Sequence, residues 1–463
     1  MILIKNLDLI ATFKDDAQII KYGSILIEGN EIRQLGKLNE MVITPDEVID
    51  GRGKIALPGF INTHHHFFQQ LTRAVPAVNT SGILEWLLYL YPIWGKMNEE
   101  AIYYATLLSC AELLLTGCTT TSDMAYFYPH GKTNFFDIEV QAAEEIGIRF
   151  HPCRASLPFM EDNISSSLDQ KGINSKLLTE EPDKILLECE RVIQKYNRQE
   201  KFSMCHVAIG LTDKTYQQPE FMRQMADLAR KHNIMMHTHL HPRPDEIDLC
   251  KSLYQYEPID FLEEYGWLGK DVWLAHATNF SPYDIEKVAK SQTGISHSPS
   301  SNMRLNYSIA PIPALIHAGV NVSVGVDGGA SNDSGDYLGE LREILLVHRI
   351  RGLHEKPFDK ATNTNPYEVL KLGTRGGAKV LQRDDIGSLE IGKAADIVLF
   401  NIDRIDFAGS HDPLEALLFC GINHTADTTI VNGKVVVRKG KLLSKNEMDI
   451  VHGANKAATG LFT

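Results

Sequence analysis

From Met1 to about residue 50, apolar and polar positions alternate with a period of two in the runs Ile2 to Leu9, Ser24 to Glu28 and Glu31 to Gly36, with Gly29-Asn30 breaking the last two apart. Alternate residues of a strand face opposite sides, so this pattern predicts short strands of a small β-sheet. From Ile55 to about Val380 the pattern changes. Short β-rich runs, Ile148 to Cys153, Ile234 to His239, Val272 to His276 and Val320 to Asp327, each follow a polar or glycine-containing turn. Between them, Pro219 to Lys231 carries apolar residues at helical spacing behind a leading proline, and Ser281-Pro282 supplies an N-cap followed by proline at the first helical position. Strands alternating with helices predict βα units in a parallel sheet. After Arg383 the β pattern returns in Ile397 to Phe400, Thr429 to Val431 and Lys434 to Arg438, with Asn432-Gly433 as a hairpin turn. Two β-rich ends around one α/β body predict a single small sheet domain built from both ends. Beyond Ser444 the pattern selects neither a helix nor a tail.

Composition narrows the class. A hydrophobic share of 43% and a charged share of 23% are those of a soluble globular chain and exclude disordered and fibrous classes. A net charge of -13 argues against a nucleic-acid backbone as partner, because such binders present basic patches. The seven cysteines are scattered, odd in number and form no CxxC pair, which argues against a disulfide framework or a thiolate zinc site and fits a reducing cytoplasm. The alternating N-terminus reads as a strand and not as a secretory leader, and no apolar run reaches the ~18 residues of a membrane span. A soluble cytoplasmic protein with no membrane partner is expected.

The chemistry-bearing residues gather at predicted strand ends. Pro58 to His66 leaves an apolar run and ends in three imidazoles, of which His64 and His66 share one face and His65 takes the other. His237, His239 and His241 form a second series on one face, so alternation does not say which of them meets a metal. His276 closes Val272 to His276, and Asp327 closes Val320 to Asp327. A lone histidine at a strand end is more often a hydrogen-bonded or solvated residue. Four strand ends carrying ligand-type residues are another matter, because barrel active sites form from the C-terminal ends of several strands. A divalent metal site is expected.

These motifs resemble those of the amidohydrolase superfamily, in the branch that holds triazine hydrolases and purine, pterin and 8-oxoguanine deaminases. PGFINTHHH at Pro58 to His66, HTHL at His237 to Leu240, LAHA at Leu274 to Ala277, HSPSSNMRL at His297 to Leu305, GVDGGASND at Gly325 to Asp333 and GSLEIGKAADIVLF at Gly387 to Phe400 carry the likeness, which covers nearly the whole chain. Phe67 to Pro76 and Trp86 to Trp94 look closest to the 8-oxoguanine deaminase and hydroxyatrazine-type members. The resemblance implies an α/β fold, a distorted TIM (β/α)8 barrel over residues 57–380, with a small β-sandwich domain formed by residues 1–56 and 381–463. It implies one divalent ion, zinc first and iron second, held by His64, His66, His239 and Asp327. Asp327 would take a proton from the metal-activated water, and His276 would stabilise developing charge or steer that water. Gln70, Trp86 and Asn302 fall in segments used around the substrate, and barrels of this branch associate as dimers or larger. The implied reaction is deamination of a purine-like or related nitrogen heterocycle. The alternatives are displacement of an alkylamine or halide from a triazine-like ring, or a metal-binding barrel without turnover.

One departure stands out. The branch places a proton-shuttling glutamate three residues after the fifth-strand histidine, and here that position is Pro242. Glu246 from an altered loop is the first expected replacement, with Asp245 and His241 as alternatives. Lys214 is a weaker candidate for a carbamylated lysine bridging two metals.

Overall fold

The computed structural model describes the chain except residues 15, 38–43, 213–217, 242–243, 356–364 and 421–423 and the side chains of 352–355. Eight parallel strands close into a barrel: β1 (Phe60–Asn62), β2 (Cys118–Ala125), β3 (Arg149–Arg154), β4 (Ala208–Leu211), β5 (Met235–Leu240), β6 (Val272–His276), β7 (Gly294–His297) and β8 (Val322–Val324). Each pairs with its neighbour in sequence, and β8 returns to β1 through Val324 against Asn62. This is the TIM-like (β/α)8 fold, with helices between successive strands.

Sequence patterning located most of these elements, and the differences have local causes. The helix Pro219–Lys231 spans the predicted residues, and Ser281 starts the helix Pro282–Ser291 with a reciprocal capping box to Asp284. Strand β4 begins only at Ala208, because Phe202 takes a left-handed φ of 65° and Ser203 turns the chain by accepting from Cys205 N. The run Val320 to Asp327 splits into β8 and a separate pair at Asp327–Gly328. The undetermined C-terminus is a helix, Glu447–Phe462, capped by Asn446 and packed on the helix Glu99–Leu115.

The two chain ends share one nine-stranded sheet. Its seam is the antiparallel pairing of Lys54–Pro58 with Ile397–Asn401, flanked by Ile2–Ala11 on one side and by Thr428–Val431 on the other. A separate core fills it, including Ile4, Leu7, Ile25, Ile397 and Leu399. The Asn432-Gly433 turn has both residues at positive φ, as a tight hairpin requires, and a Cβ on Gly433 would lie 2.0 Å from the Gly29 carbonyl of the neighbouring turn. Among the described residues no helix is long and apolar enough to cross a membrane, and all seven cysteines are free.

A buried ion pair fastens this sheet to the barrel. Arg149, at the start of β3, donates to both Asp396 oxygens at 3.1 Å and to the carbonyls of Phe202 and Ser203. Asp396 also accepts from Asn432 N at 2.6 Å, and its carbonyl accepts from Gly59 N at 3.0 Å. Removing one partner strands the other's charge in a dry site. Asp396→Ala is therefore expected to destabilise the protein by about 3–5 kcal/mol in urea unfolding, far more than loss of an exposed pair such as Lys184–Glu181.

Candidate metal centre

The site lies at the C-terminal mouth of the barrel. After β1 the chain continues through Thr63 and His64 to a two-residue ladder in which Asp327 pairs with His65 and Gly328 with His66. Asp327 N donates to the His64 carbonyl at 3.1 Å. Asp327 is thereby carried out of β8 and laid beside both histidines, with a left-handed φ of 62°. Gly325 makes this approach sterically feasible, since a Cβ there would meet His64 Cβ at 2.5 Å. His276, ending β6, is also left-handed at φ 77°, and such strain in non-glycine residues gathers at functional sites.

His64 Nε2 and His66 Nε2 each lie 3.3 Å from Asp327 Oδ1, and His276 Nε2 lies 3.8 Å from Oδ2. His66 Nε2 and His239 Nε2 face each other at 3.2 Å. Ligand atoms of His64, His66 and Asp327 fall within 4.8 Å of one another, as do those of His64, His239 and His276. The opposite edges of the rings identify the tautomers. His66 Nδ1 donates to the Met124 carbonyl at 3.0 Å, His239 Nδ1 to the Thr212 carbonyl, and His276 Nδ1 to Asn302 Oδ1 at 2.9 Å. A carbonyl can only accept, so each Nδ1 carries the hydrogen and each Nε2 points a lone pair inward. Burial lowers the pKa of all four imidazoles, which keeps them neutral. Three lone pairs, the Nε2 of His64 and a carboxylate thus converge, and His64 Nε2 has no hydrogen-bond partner. A divalent cation fits that donor set.

The three fifth-strand histidines take different places. His239 enters the donor set. His237 sits behind His64, with its ring stacked on Trp273 at 4.2 Å. His241 stacks on His276 at 4.1 Å and meets Tyr307 at a tilt, 4.7 Å between ring centres. His65 turns away as alternation requires, and burial lowers its pKa to about 3.

A cavity of about 250 Å³ opens above the donor set, at the small end of ligand pockets. Trp86, Ile83, Leu87 and Tyr91 of the helix Ile83–Trp94 form an apolar wall, and Gln69, Tyr126, His241 and Glu246 line other parts. Trp86 donates to the Ala330 carbonyl at 3.0 Å, while Trp94 is core and touches Trp86 edge-on. Asn302 lies behind His276. Gln70 points away and donates to Glu112, which also accepts from Arg73. Gln69, on the 3-10 helix Phe67–Thr72, takes the cavity position instead. Glu246 is buried and lines the cavity, but from the first turn of the helix Pro244–Tyr254 and not from a loop. Asp245, beside it on the same turn, also lines the cavity. Pro242 and Lys214 lie outside the described residues.

A second carboxyl braces the site from below. Glu340 accepts from Ser300 N and Asn332 Nδ2, both at 3.0 Å, and Asn332 also donates to the Val326 carbonyl at 2.7 Å. Burial raises the Glu340 pKa to about 8 against those hydrogen bonds. The segments bearing Asn302 and Asp327 are tied through this one side chain.

Comparison with known proteins agrees with the geometry. The amidohydrolase family profile matches residues 55–436. The chain is 37% identical over 414 residues to an 8-oxoguanine deaminase of Pseudomonas aeruginosa, covering 89% of this chain and 88% of that one. It is 33% identical over 452 residues to a hydroxydechloroatrazine ethylaminohydrolase of Pseudomonas sp. strain ADP, covering 95% and 90%. A solved atrazine chlorohydrolase from Arthrobacter aurescens, complexed with zinc, superposes with a TM-score of 0.91 at 32% identity over 99% of this chain and 100% of that one.

An ion bound only by the folded state stabilises it, by about 2.7 kcal/mol at a hundredfold excess over its Kd. Dialysis against a chelator is expected to lower the thermal unfolding midpoint by several degrees, and zinc to restore it. An unchanged midpoint would count against a cation at this centre.

Proposed function

The chain belongs to the amidohydrolase family, and on that premise we propose that it is a metal-dependent aminohydrolase acting on a purine-like or related nitrogen heterocycle, of the 8-oxoguanine, guanine or pterin type. The observation that carries this reading is the convergence of the His64, His66, His239 and His276 rings beside Asp327, at the floor of a cavity sized for a small ring. His64, His66, His239 and Asp327 would hold one ion, zinc before iron. When bound, a divalent ion makes water acidic enough to ionise near neutral pH.

The chain's own residues supply the remaining steps. Asp327 takes a proton as water adds to the amino-bearing sp² carbon. His276, its Nδ1–H fixed on Asn302, presents Nε2 to hold and steer that water at the reacting carbon. Trp86 and the apolar wall hold the flat ring, and Gln69 reads its edge. Glu246 supplies the proton that lets the nitrogen leave, in the role that Pro242 cannot fill. The substrate is a small heterocyclic molecule and the protein acts in the cytoplasm, as a homo-oligomer.

Pro242 favours a second reading, displacement of an alkylamine or halide from a triazine-like ring, since a departing halide needs no proton. Ammonia, alkylamine and halide release from a panel of purines, pterins, pyrimidines and triazines separates the two. Ammonia from a purine or pterin supports the first, and release only from triazines supports the second. No release from zinc-loaded protein would leave a metal-binding barrel without turnover. On the best substrate, His276→Ala is expected to retain zinc and lose ~10²-fold or more in kcat. Near-normal turnover with zinc retained would remove His276 from the mechanism.

The acid is tested separately. Glu246→Gln is expected to lower kcat by ~10²–10⁴ with metal content unchanged, while Asp245→Asn and His241→Asn have smaller effects. A normal rate in Glu246→Gln beside a collapse in His241→Asn would transfer the role to histidine.

A further inference from the structure

His237 is a fully buried imidazole outside the proposed donor set. Its two ring nitrogens have unlike partners: Nδ1 lies 2.8 Å from the Trp273 carbonyl, and Nε2 lies 2.9 Å from His64 Nδ1. Trp273 lies parallel to the ring, 9° from coplanar, and its own Nε1 donates to the Thr63 carbonyl at 3.0 Å, one residue before His64. The carbonyl fixes the direction of the whole chain of hydrogen bonds. Since it only accepts, His237 Nδ1 must carry the hydrogen. A neutral ring then has a bare Nε2, which can only accept from His64 Nδ1–H.

We propose that His237 is a positioning residue that selects the tautomer of His64, forcing its hydrogen onto Nδ1 and its lone pair toward the centre. This inference rests on reading the cluster as a metal centre. His66 and His239 have a backbone carbonyl as the fixed acceptor, which cannot reverse its role, and His276 faces the Asn302 amide. Among these rings only His64 depends on another imidazole, whose role follows its tautomer. The Trp273 carbonyl removes that freedom, and the indole holds the His237 ring in the plane that serves both bonds. Strands β1, β5 and β6 are thereby joined by three side chains directly beneath the centre.

Partners in this position commonly contribute 10–100-fold to metal affinity. The test measures zinc affinity of the full chain by competition with a chromophoric chelator, so it needs no substrate. His237→Phe keeps the stack on Trp273 but removes the acceptor, while His237→Gln can offer an amide oxygen to His64. The expected result is 10–100-fold weaker zinc binding in His237→Phe and affinity within a few-fold of the unaltered protein in His237→Gln. In addition, ¹⁵N spectra of the folded zinc-loaded protein should show His237 as the Nδ1–H tautomer. Undiminished affinity in His237→Phe, or an Nε2–H tautomer, overturns the proposal and leaves the centre standing. If His237→Phe does not fold, the tautomer measurement and His237→Gln decide, and a full loss of affinity in folded His237→Gln overturns it. Failure of the unaltered protein to bind zinc removes the metal reading and this inference together.

Discussion

Lone pairs and a carboxylate pressed together away from water repel one another, and much of the architecture answers that repulsion. His66 Nε2 and His239 Nε2 stand 3.2 Å apart with no hydrogen between them. Unrestrained side chains would rotate apart. They are held because each ring is pinned from behind, to Met124, Thr212, Asn302 or His237, and because Asp327 is bound by its backbone to His64. The left-handed turns at His276 and Asp327 and the close approach at Gly325 are local costs of the same arrangement. A rigid barrel is what keeps such a set assembled.

Legibility in the sequence followed range. Period-two and period-3.6 patterns, caps and the Asn432-Gly433 turn are local signals, and they located strands and helices closely. The union of the two chain ends was also legible, since both ends alternate and neither could bury its apolar face alone. What depended on distant contacts was not. Nothing local in Val320 to Asp327 marks the break at Gly325, because the break answers His64 across the barrel mouth. Alternation placed His237, His239 and His241 on one face without ranking them, and only depth in the barrel sorts them into a buried support, a donor and a stacked wall residue. Gln70, expected near the substrate from its segment, donates to Glu112, while Gln69 lines the cavity. The helix Ile83–Trp94 showed its tryptophans plainly, yet which one faces the cavity depends on Ala330, far along the chain.

The position of Glu246 follows from where its helix begins. Glu246, four residues beyond Pro242 in sequence, faces the cavity from the first turn of its helix. The start of the helix at Pro244 keeps that first turn rigid, because proline favours the opening of a helix. His241, between His276 and Tyr307, completes an aromatic edge on this side. The barrel scaffold stays constant while the groups above it vary, as is usual for sites built on loops and first turns.

The seam between Lys54–Pro58 and Ile397–Asn401 also imposes a schedule on synthesis. Ile55, Ala56 and Leu57 are fully buried in the finished molecule, yet the strand that covers one edge of theirs leaves the ribosome only after the entire barrel has been made. At ~5–20 residues per second the delay is roughly twenty seconds to a minute. During that time the N-terminal strands present an open, apolar edge of the kind that pairs with other chains. A nascent chain stalled before residue 397 is thus a half-sheet without its mate, and the yield of this protein in a cell depends on elongation rate and on the factors that shield that edge.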